Sequence, residues 1–164
     1  MKVAVTGASG FIGRHVLEEL AKHPVDVVAV VRNTARRIQA GPRVKVVQVD
    51  LASPPPAAFA AMDRPDVLIH LAWGGLPNYR SLHHLERELP DQYRFLADLV
   101  KEGLPAAVVT GTCLEYGMQS GPLGETLEAR PNNPYGYAKD ALRRQLQFLR
   151  GAHPFALTWA RLFY

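Results

Sequence analysis

Short, nearly continuous apolar runs recur along this 164-residue chain and alternate with longer segments in which apolar residues return every three or four positions. The short runs are typical of strands buried on both faces of a parallel sheet, and the longer segments are typical of amphipathic helices. Strands are predicted at 2–6, 25–31, 44–49, 66–72, 106–111 and 155–163. Helices are predicted at 11–23, 82–102 and 135–151. Pro90 should kink the second helix or mark its start, and Gly151 should end the third.

This alternation predicts the fold class and the number of domains. Strand–helix–strand units with right-handed crossovers build a doubly wound parallel α/β sheet, Rossmann-like, with strand order 3-2-1-4-5-6. The proline-rich stretch between Asp50 and Asp66 is expected to be a loop with a short helix. A chain of this length suits one domain with its own core, and we assign residues 1–164 to that domain.

Composition narrows the class of protein further. No apolar run approaches the roughly 20 residues that a membrane-spanning helix needs, and the N-terminus leads into the first strand without the pattern of a signal peptide. The single cysteine, Cys113, excludes an internal disulfide framework and fits a reducing compartment. The sequence therefore predicts a cytoplasmic protein that does not bind a membrane.

The formal net charge is +4, and part of the positive excess lies in one cluster. Its members are Arg32, Arg36, Arg37, Arg43 and Lys45. Nucleic-acid binding is one interpretation of such a cluster, but the cluster has no interleaved aromatic residues and no recognised nucleic-acid motif. We therefore interpret it as a local phosphate contact and expect no nucleic-acid partner.

The stretch TGASGFIG, residues 6–13, carries the first candidate site, because its glycines follow the first strand and open the first helix. In a dinucleotide-binding loop, Gly7 would permit the sharp turn, Gly10 would let a pyrophosphate approach the backbone, and Gly13 would let helix and strand pack closely. Phe11 and Ile12 open the helix, whose free N–H groups and dipole favour phosphate. The alternative is a tight turn with packing glycines alone, which explains neither the position nor the spacing.

The end of the second strand indicates which dinucleotide is bound. Domains of this fold that prefer NAD present an acidic residue there, whereas this chain has Val31 followed by Arg32 and Arg36. Arginine suits the 2′-phosphate of NADP, so NADP is predicted and NAD is the alternative. Asp50 and Leu51 follow the third strand, where they would contact the adenine end of the cofactor; Asp50 would otherwise cap the next segment.

Tyr135 and Lys139, in the stretch NPYGYAKDALRR, lie four residues apart at the start of the last predicted helix and so project from one face of it. A free tyrosine, with a pKa of about 10, is a poor acid–base at neutral pH. A neighbouring ammonium favours the phenolate and lowers that pKa. Such pairs also occur by chance on surface helices, so the meaning of this one depends on the rest of the chain.

Four segments occur in a fixed order: TGASGFIG at 6–13, HLAW at 70–73, TGTCLEYG at 110–117 and YGYAK at 135–139. In that order they resemble the extended short-chain dehydrogenases/reductases, the NAD-dependent epimerase/dehydratase group. The resemblance implies a catalytic set of Thr112, Tyr135 and Lys139, with Tyr135 as general acid/base and Lys139 also bonding the nicotinamide ribose. It further implies that the backbone of Leu71 and Ala72 passes beneath the cofactor. No metal site is predicted.

Within this group the chain is most similar to bacterial reductases of nucleotide-linked 4-keto-6-deoxyhexoses, of the 6-deoxytalose or fucose type. The related dehydratases carry Asp-Glu directly after the threonine, where this chain has Cys113 and Leu114, so dehydration is not expected. The resemblance implies a nucleotide-sugar substrate that is reduced at C4. A nucleotide-sugar epimerase and a cofactor-binding domain without turnover are the alternatives. Family members are longer, so we expect the C-terminal substrate domain to be absent from this chain.

The resemblance also implies a homodimer through the helices near 82–102 and 135–150. The candidates for that interface are Tyr93, Leu96 and Leu142. Packing of these side chains against their own sheet is an equally good interpretation. His70 is expected to be a hydrogen-bonded histidine at a strand end rather than a catalyst.

Overall fold

The computed structural model describes residues 1–33, 38 and 41–163. It contains one six-stranded parallel sheet, and the strand order β3-β2-β1-β4-β5-β6 confirms the predicted topology. The strands are β1 (Lys2–Thr6), β2 (Asp26–Val31), β3 (Val44–Gln48), β4 (Val67–His70), β5 (Ala106–Thr112) and β6 (Ala156–Leu162).

The helices are α1 (Phe11–Leu20), α2 (Ala58–Ala61), α3 (Leu89–Lys101) and α4 (Pro134–Ala152), with a π-helical segment at His84–Glu88 and a 3₁₀ helix at Cys113–Tyr116. Pro90 lies in the first turn of α3, where its missing N–H costs no helical hydrogen bond, so it marks a start rather than a kink. Helix α4 continues one residue past Gly151. It ends because His153 is extended, as a residue before a proline prefers to be.

A buried apolar layer covers each face of the sheet. Along β1 the side chains alternate, so that Val3 and Val5 join the layer beneath α1 while Ala4 joins the layer on the other face. That second layer also takes large side chains from α3 and α4, namely Phe95, Leu96, Leu99, Leu142 and Leu146. Burial on both faces explains the nearly continuous apolar runs of the central strands β1 and β2, whereas the edge strands β3 and β6 are only partly buried and carry exposed positions.

Two of the three residues considered for an interface between copies belong to this core. Leu96 and Leu142 are fully buried within their own chain, and Tyr93 is half-buried against the same cluster. Leu96 and Leu142 therefore pack against their own sheet, whereas Tyr93 keeps part of its surface exposed.

The candidate segments meet at one edge of the sheet. Because β1, β4 and β5 are parallel neighbours, their carboxyl ends lie side by side. The glycine loop follows β1, residues 71–73 follow β4, and Thr112 ends β5. Ligands of doubly wound sheets bind at this edge, where the strand order reverses between β1 and β4. In the described part of the chain, no helix has both the length and the apolar character to cross a membrane.

Candidate active site

The glycine loop turns sharply between β1 and α1. Gly7 has a φ of 68°, in the left-handed region, and its carbonyl accepts a hydrogen bond from the Gly10 N–H at 2.9 Å. A Cβ on Gly7 would lie 2.9 Å from the backbone nitrogen of Ala72, and a Cβ on Gly13 would meet the backbone of Gly7 and Ala8. The first turn of α1 has no side-chain cap and no acidic residue, so its N–H groups are available to an anion.

A cleft of about 300 Å³ opens between this loop and the neighbouring strand ends. Its lining includes the predicted residues Gly7, Gly10, Arg32, Asp50, Leu51, Leu71 and Ala72. Of the other predicted cofactor contacts, Gly13 packs beneath the loop, while the side chains of Phe11 and Ile12 are exposed on the first turn of α1. Arg36 lies outside the described residues. A second cavity, of about 340 Å³, lies between the proline-rich loop and α3, away from these groups.

The charged side chains of the cleft are unevenly distributed. Arg32 is the cationic residue among the described lining residues, and it stands exposed at the end of β2. Carboxylates line the cleft at Asp50, Glu88 and Asp91. A guanidinium suits phosphate oxygens, and carboxylates suit the hydroxyl groups of a ribose. The cleft therefore has groups fitted to both parts of a dinucleotide.

Glu88 is held in place by the loop that follows β4. Its Oε2 accepts hydrogen bonds from the Gly74 N–H and the Gln92 amide, each at 2.9 Å, and its Oε1 lies 3.1 Å from His83 Nε2. Burial by itself raises the pKa of Glu88, but these donors outweigh it and hold the pKa below the usual range. Glu88 therefore presents a fixed negative charge to the cleft.

Lys139 is buried, with 1% of its surface exposed. Its Nζ donates to the Thr110 carbonyl at 2.8 Å and lies 4.1 Å from the centre of the Trp73 ring, in a cation–π contact. Burial lowers the pKa of Lys139 to about 7, although the carboxylates of Glu115 and Glu88 act in the opposite direction. The group can therefore change its protonation state near neutral pH.

Tyr135 lies in the first turn of α4 inside a cluster of aromatic rings. Asn133 caps the helix by accepting from the Gly136 N–H at 2.9 Å, and the Tyr135 N–H donates to the Tyr79 carbonyl at 3.2 Å. The Tyr135 ring packs against three others, those of Trp73, Tyr79 and His84, with centroid distances of 5.2–5.9 Å. These contacts hold the Tyr135 ring in one orientation at the N-terminus of α4.

Thr112 ends β5 and begins the 3₁₀ helix as its N-cap. Its hydroxyl oxygen accepts from the Leu114 N–H at 3.3 Å, and Glu115 Oε1 accepts from the Thr112 N–H at 2.9 Å, which completes a capping box. A Cβ on Gly136 would lie 2.5 Å from the Leu114 carbonyl oxygen, so α4 starts directly against this segment. The structure thus brings the neighbourhoods of Thr112, Tyr135 and Lys139 together.

Trp73 stands between the cleft and these three residues. It lines the cleft, while Thr112, Tyr135 and Lys139 are not part of the described lining. Its indole N–H donates to His84 Nδ1 at 3.1 Å, so His84 carries its hydrogen on Nε2 and donates it to the Asn78 carbonyl at 2.9 Å. Trp73 therefore separates the cleft from the tyrosine–lysine pair and contacts both of its residues.

His70 is fully buried at the end of β4. Its Nδ1 lies 2.9 Å from the Thr6 hydroxyl, but its Nε2 has no hydrogen-bond partner in the described residues. Burial lowers the pKa of His70 to about 3, and the nearby Lys139 ammonium acts in the same direction. The imidazole is neutral at physiological pH, and the expected hydrogen bonding is met at one ring nitrogen.

Several residues at the site were not predicted from the sequence. Trp73 stood in the quoted HLAW segment, but only backbone contacts were expected there, and Tyr79 and His84 reach Tyr135 through tertiary packing. Glu115 had a usable signal, because a threonine followed three residues later by a glutamate is the capping-box pattern. Its partner Arg161 had none, since it is 46 residues away in sequence.

Comparison with known proteins identifies the family of the chain. A family model described as "NAD dependent epimerase/dehydratase family" matches residues 3–164. The chain is 30% identical to a dTDP-6-deoxy-L-talose 4-dehydrogenase (NAD(+)) from Aggregatibacter actinomycetemcomitans, across 100% of this chain and 61% of the relative. It is 29% identical to a UDP-glucose 4-epimerase from Streptococcus mutans serotype c, across 85% of this chain and 44% of that protein.

Solved structures give the same result for the fold. MoeE5 in complex with UDP-glucuronic acid and NAD superposes with a TM-score of 0.80 at 28% identity, covering 98% of this chain and 53% of that one. A UDP-glucose 4-epimerase from Thermus thermophilus in complex with NAD superposes at 0.82 with 22% identity, covering 98% and 54%. The chain thus spans roughly half of the length of its relatives, and the family model covers nearly all of it: the chain belongs to the NAD dependent epimerase/dehydratase family.

Proposed function

We propose that the chain is the cofactor-binding part of an oxidoreductase that reduces the 4-keto group of a nucleotide-activated 6-deoxyhexose. The observation that carries this proposal is the similarity to a dTDP-6-deoxy-L-talose 4-dehydrogenase, a name that describes the same C4 position in the oxidative direction. The match runs through Thr112, Tyr135 and Lys139, because it covers the whole of this chain. Since it covers 61% of the relative, the substrate pocket would be completed by a C-terminal substrate domain.

The residues of the cleft fit a nicotinamide dinucleotide. The N–H groups at the start of α1 would bind the pyrophosphate. Gly7 packs closely against the backbone of Ala72, and because it has no side chain it does not cover the loop backbone. When bound, the cofactor supplies the hydride that is added to the C4 carbon. The lining at Trp73 and Gly74 would place the nicotinamide next to the tyrosine–lysine pair.

The reacting proton comes from the chain itself. The Thr112 hydroxyl oxygen already accepts from the Leu114 N–H, so its own O–H is left to donate to the C4 carbonyl and orient it. As the carbon receives the hydride, the carbonyl oxygen takes the proton of the Tyr135 hydroxyl, which becomes a phenolate. The Lys139 ammonium, one helical turn further on, favours that phenolate. The product is the C4 alcohol.

NADP remains the preferred form of the cofactor in this proposal, with NAD as the alternative. The support for NADP is the exposed Arg32 at the end of β2, where Val31 stands in place of an acidic residue. The support for NAD comes from the relatives, because the talose dehydrogenase is named for NAD(+) and MoeE5 was solved with NAD. Arg32→Ala should weaken NADPH binding more than NADH binding if the 2′-phosphate is contacted.

Epimerisation is the second candidate, because several relatives are UDP-glucose 4-epimerases. An epimerase would need the same three side chains but would return the hydride to its own substrate. Dehydration is less well supported: Cys113 and Leu114 follow Thr112, and the carboxylate of Glu115 is engaged by Arg161. Interconversion of UDP-glucose and UDP-galactose without net oxidation of NAD(P)H would favour the epimerase.

The test of the main proposal starts with fluorescence titration of NADPH and NADH, followed by NADPH oxidation in the presence of a dTDP-4-keto-6-deoxyhexose. Oxidation should be lost in Tyr135→Phe and kept in Tyr137→Phe, a matched control because Tyr137 lies on the same helix with 58% of its surface exposed. Binding without oxidation would mean that this chain holds the cofactor but needs the C-terminal substrate domain for turnover, or that it is a cofactor-binding domain without turnover. Absence of binding by both nucleotides would refute the proposal.

A homodimer through the outer faces of the two long helices is part of the proposal. Phe148 of α4 supports it, because 83% of its surface is exposed although it is a large apolar side chain. Phe148→Asp should shift a dimer toward monomer in sedimentation velocity. A wild-type chain that sediments as a monomer at all concentrations would contradict a dimer.

A further inference from the structure

Behind Thr112 lies a buried cluster that the proposed reaction does not use. Glu115 is 0% exposed, and its Oε2 accepts from Arg161 Nε at 2.7 Å. The Trp159 indole N–H lies 3.0 and 3.1 Å from the two oxygens of the same carboxylate. Arg161 also donates to the Tyr116 hydroxyl at 3.0 Å. The cluster ties the segment after β5 to the neighbouring strand β6.

Glu115 and Lys139 bind the main chain of β5 close to each other. Glu115 Oε1 binds the backbone N–H of Thr112, and Lys139 Nζ binds the carbonyl of Thr110, two residues earlier on the same strand. Between them is Gly111, where an added Cβ would collide with Trp159 and Glu115. Glu115 and Lys139 are therefore anchored to the main chain of β5 on either side of a single residue.

We propose that Glu115 is a positioning residue: it fixes the backbone from which Thr112 presents its hydroxyl, and it supplies a buried negative charge that favours the ammonium form of Lys139. Arg161 and Trp159 hold the carboxylate in this place from β6. The inference rests on the catalytic roles proposed above for Thr112 and Lys139.

A stabilising role alone does not account well for the cluster. A buried ion pair returns little net stability, because desolvation of both charges offsets most of their attraction. This pair nevertheless sits at the one strand end that carries a catalytic hydroxyl. One carboxylate oxygen of Glu115 also accepts a hydrogen bond from the Thr112 N–H. Without that bond the N–H would be a buried donor with no acceptor at the end of β5.

Lys139 has several charged or titratable neighbours, and Glu115 is the one whose effect can be isolated. The groups on the elements around it are Tyr135 and Asp140 of α4, His70 of β4, His83 just before the π-helical segment, His84 and Glu88 within it, Asp91 of α3, Glu115 of the 3₁₀ helix and Arg161 of β6. Asp140 is paired with Arg143 and Arg144. Glu88 is hydrogen-bonded to Gly74, His83 and Gln92. Loss of the Glu115 charge should lower the pKa of Lys139, and the Arg161 charge left behind would act in the same direction.

The experiment follows the Lys139 ε-carbon by NMR in ¹³C-lysine-labelled protein without cofactor or substrate, with Lys139→Arg used for assignment. Glu115→Gln keeps the volume and an oxygen acceptor but removes the charge. The titration midpoint of Lys139 should fall by roughly one pH unit in this variant. It should stay at the wild-type value in Glu128→Gln, the control, because Glu128 pairs with Arg130 on an exposed loop.

The backbone effect is measured by hydrogen exchange in Glu115→Ala. The Thr112 amide should exchange at least about tenfold faster relative to the Val109 amide, which lies inside β5 and corrects for global destabilisation. If either single variant fails to fold, the same measurement is made with Arg161→Met added, because neutral replacement of a whole buried pair is usually tolerated.

A Lys139 midpoint in the Glu115 variants that coincides with the control would overturn the proposal. So would a Thr112 amide that keeps its wild-type protection relative to Val109. Neither measurement needs turnover, so a failed reductase assay with intact shifts would count against the proposed function and not against the placement of Glu115.

Discussion

Replacing Lys139 by methionine should change how the stability of the protein depends on pH. The wild-type side chain is 1% exposed, and its burial lowers the pKa from 10.5 to about 7. Methionine has a similar length and no charge, so it removes the titrating group and leaves the site filled. The loss of the hydrogen bond to the Thr110 carbonyl adds a constant cost that does not vary with pH.

The size and sign of the effect follow from proton linkage. Between about pH 7 and 10.5 the unfolded lysine is protonated and the folded one is not, so the free energy of unfolding rises with pH across this window. Below pH 7 both states are protonated, and the folded state carries the full cost of about 5 kcal/mol at 1.36 kcal/mol per pKa unit. From about pH 6 to about pH 9.5 the wild type should recover about 3 kcal/mol of that cost.

The assay is urea unfolding followed by circular dichroism at several pH values across this window, without cofactor. The difference in unfolding free energy between wild type and Lys139→Met isolates the one residue from every other titrating group. It should move in favour of the wild type by about 3 kcal/mol as pH rises. Lys101→Met, at an exposed position on α3, is the control for loss of a lysine. A wild-type-minus-variant difference that stays constant across the window would refute the reasoning.

Three further predictions concern the loop, the core and a helix cap. Gly7→Ala should reduce NADH and NADPH affinity by at least about tenfold in the fluorescence titration, because it strains a positive φ and drives a methyl group into the backbone of Ala72; unchanged affinity would show that the loop is not the cofactor site. Leu142→Ala should lower the unfolding free energy by about 2–5 kcal/mol in urea, since its side chain is fully buried; a loss comparable to that of an exposed leucine such as Leu82 would contradict the core assignment. Asn133→Ala should cost about 1 kcal/mol through loss of the cap on Gly136, and Asn133→Ser should restore most of it; equal stability of all three would mean that the cap does not form.

The fold was largely predictable because its signals are local. The central strands are nearly continuous apolar runs, and the glycine spacing at 7, 10 and 13 is the pattern of the first turn of a dinucleotide fold. The π-helical segment before α3 was not predicted. It contains Glu88, whose carboxylate is bound to Gly74 and His83, and contacts between loop and helix leave no periodic signal in the sequence.

The candidate site also has one part that local sequence signals predict and another that depends on contacts between remote residues. The tyrosine–lysine pair and the threonine could be proposed as a site because each lies in a short segment of fixed spacing. The surroundings that decide their properties were not found, because the Trp73 ring over Lys139 and the Arg161 guanidinium beside Glu115 come from remote parts of the chain. The depressed pKa of Lys139 is a property of the packed interior, which spacing alone does not reveal.

The placement of the two tryptophans has a practical consequence. The chain contains two such residues, and the fold puts one against the Lys139 ammonium and the other against the Glu115 carboxylate. Indole emission depends strongly on nearby charge, so the intrinsic fluorescence of this protein should be sensitive to the charge state of Lys139 and Glu115. Trp159→Phe would leave Trp73 as a single intrinsic fluorophore at the wall of the candidate cofactor cleft, read without any added label.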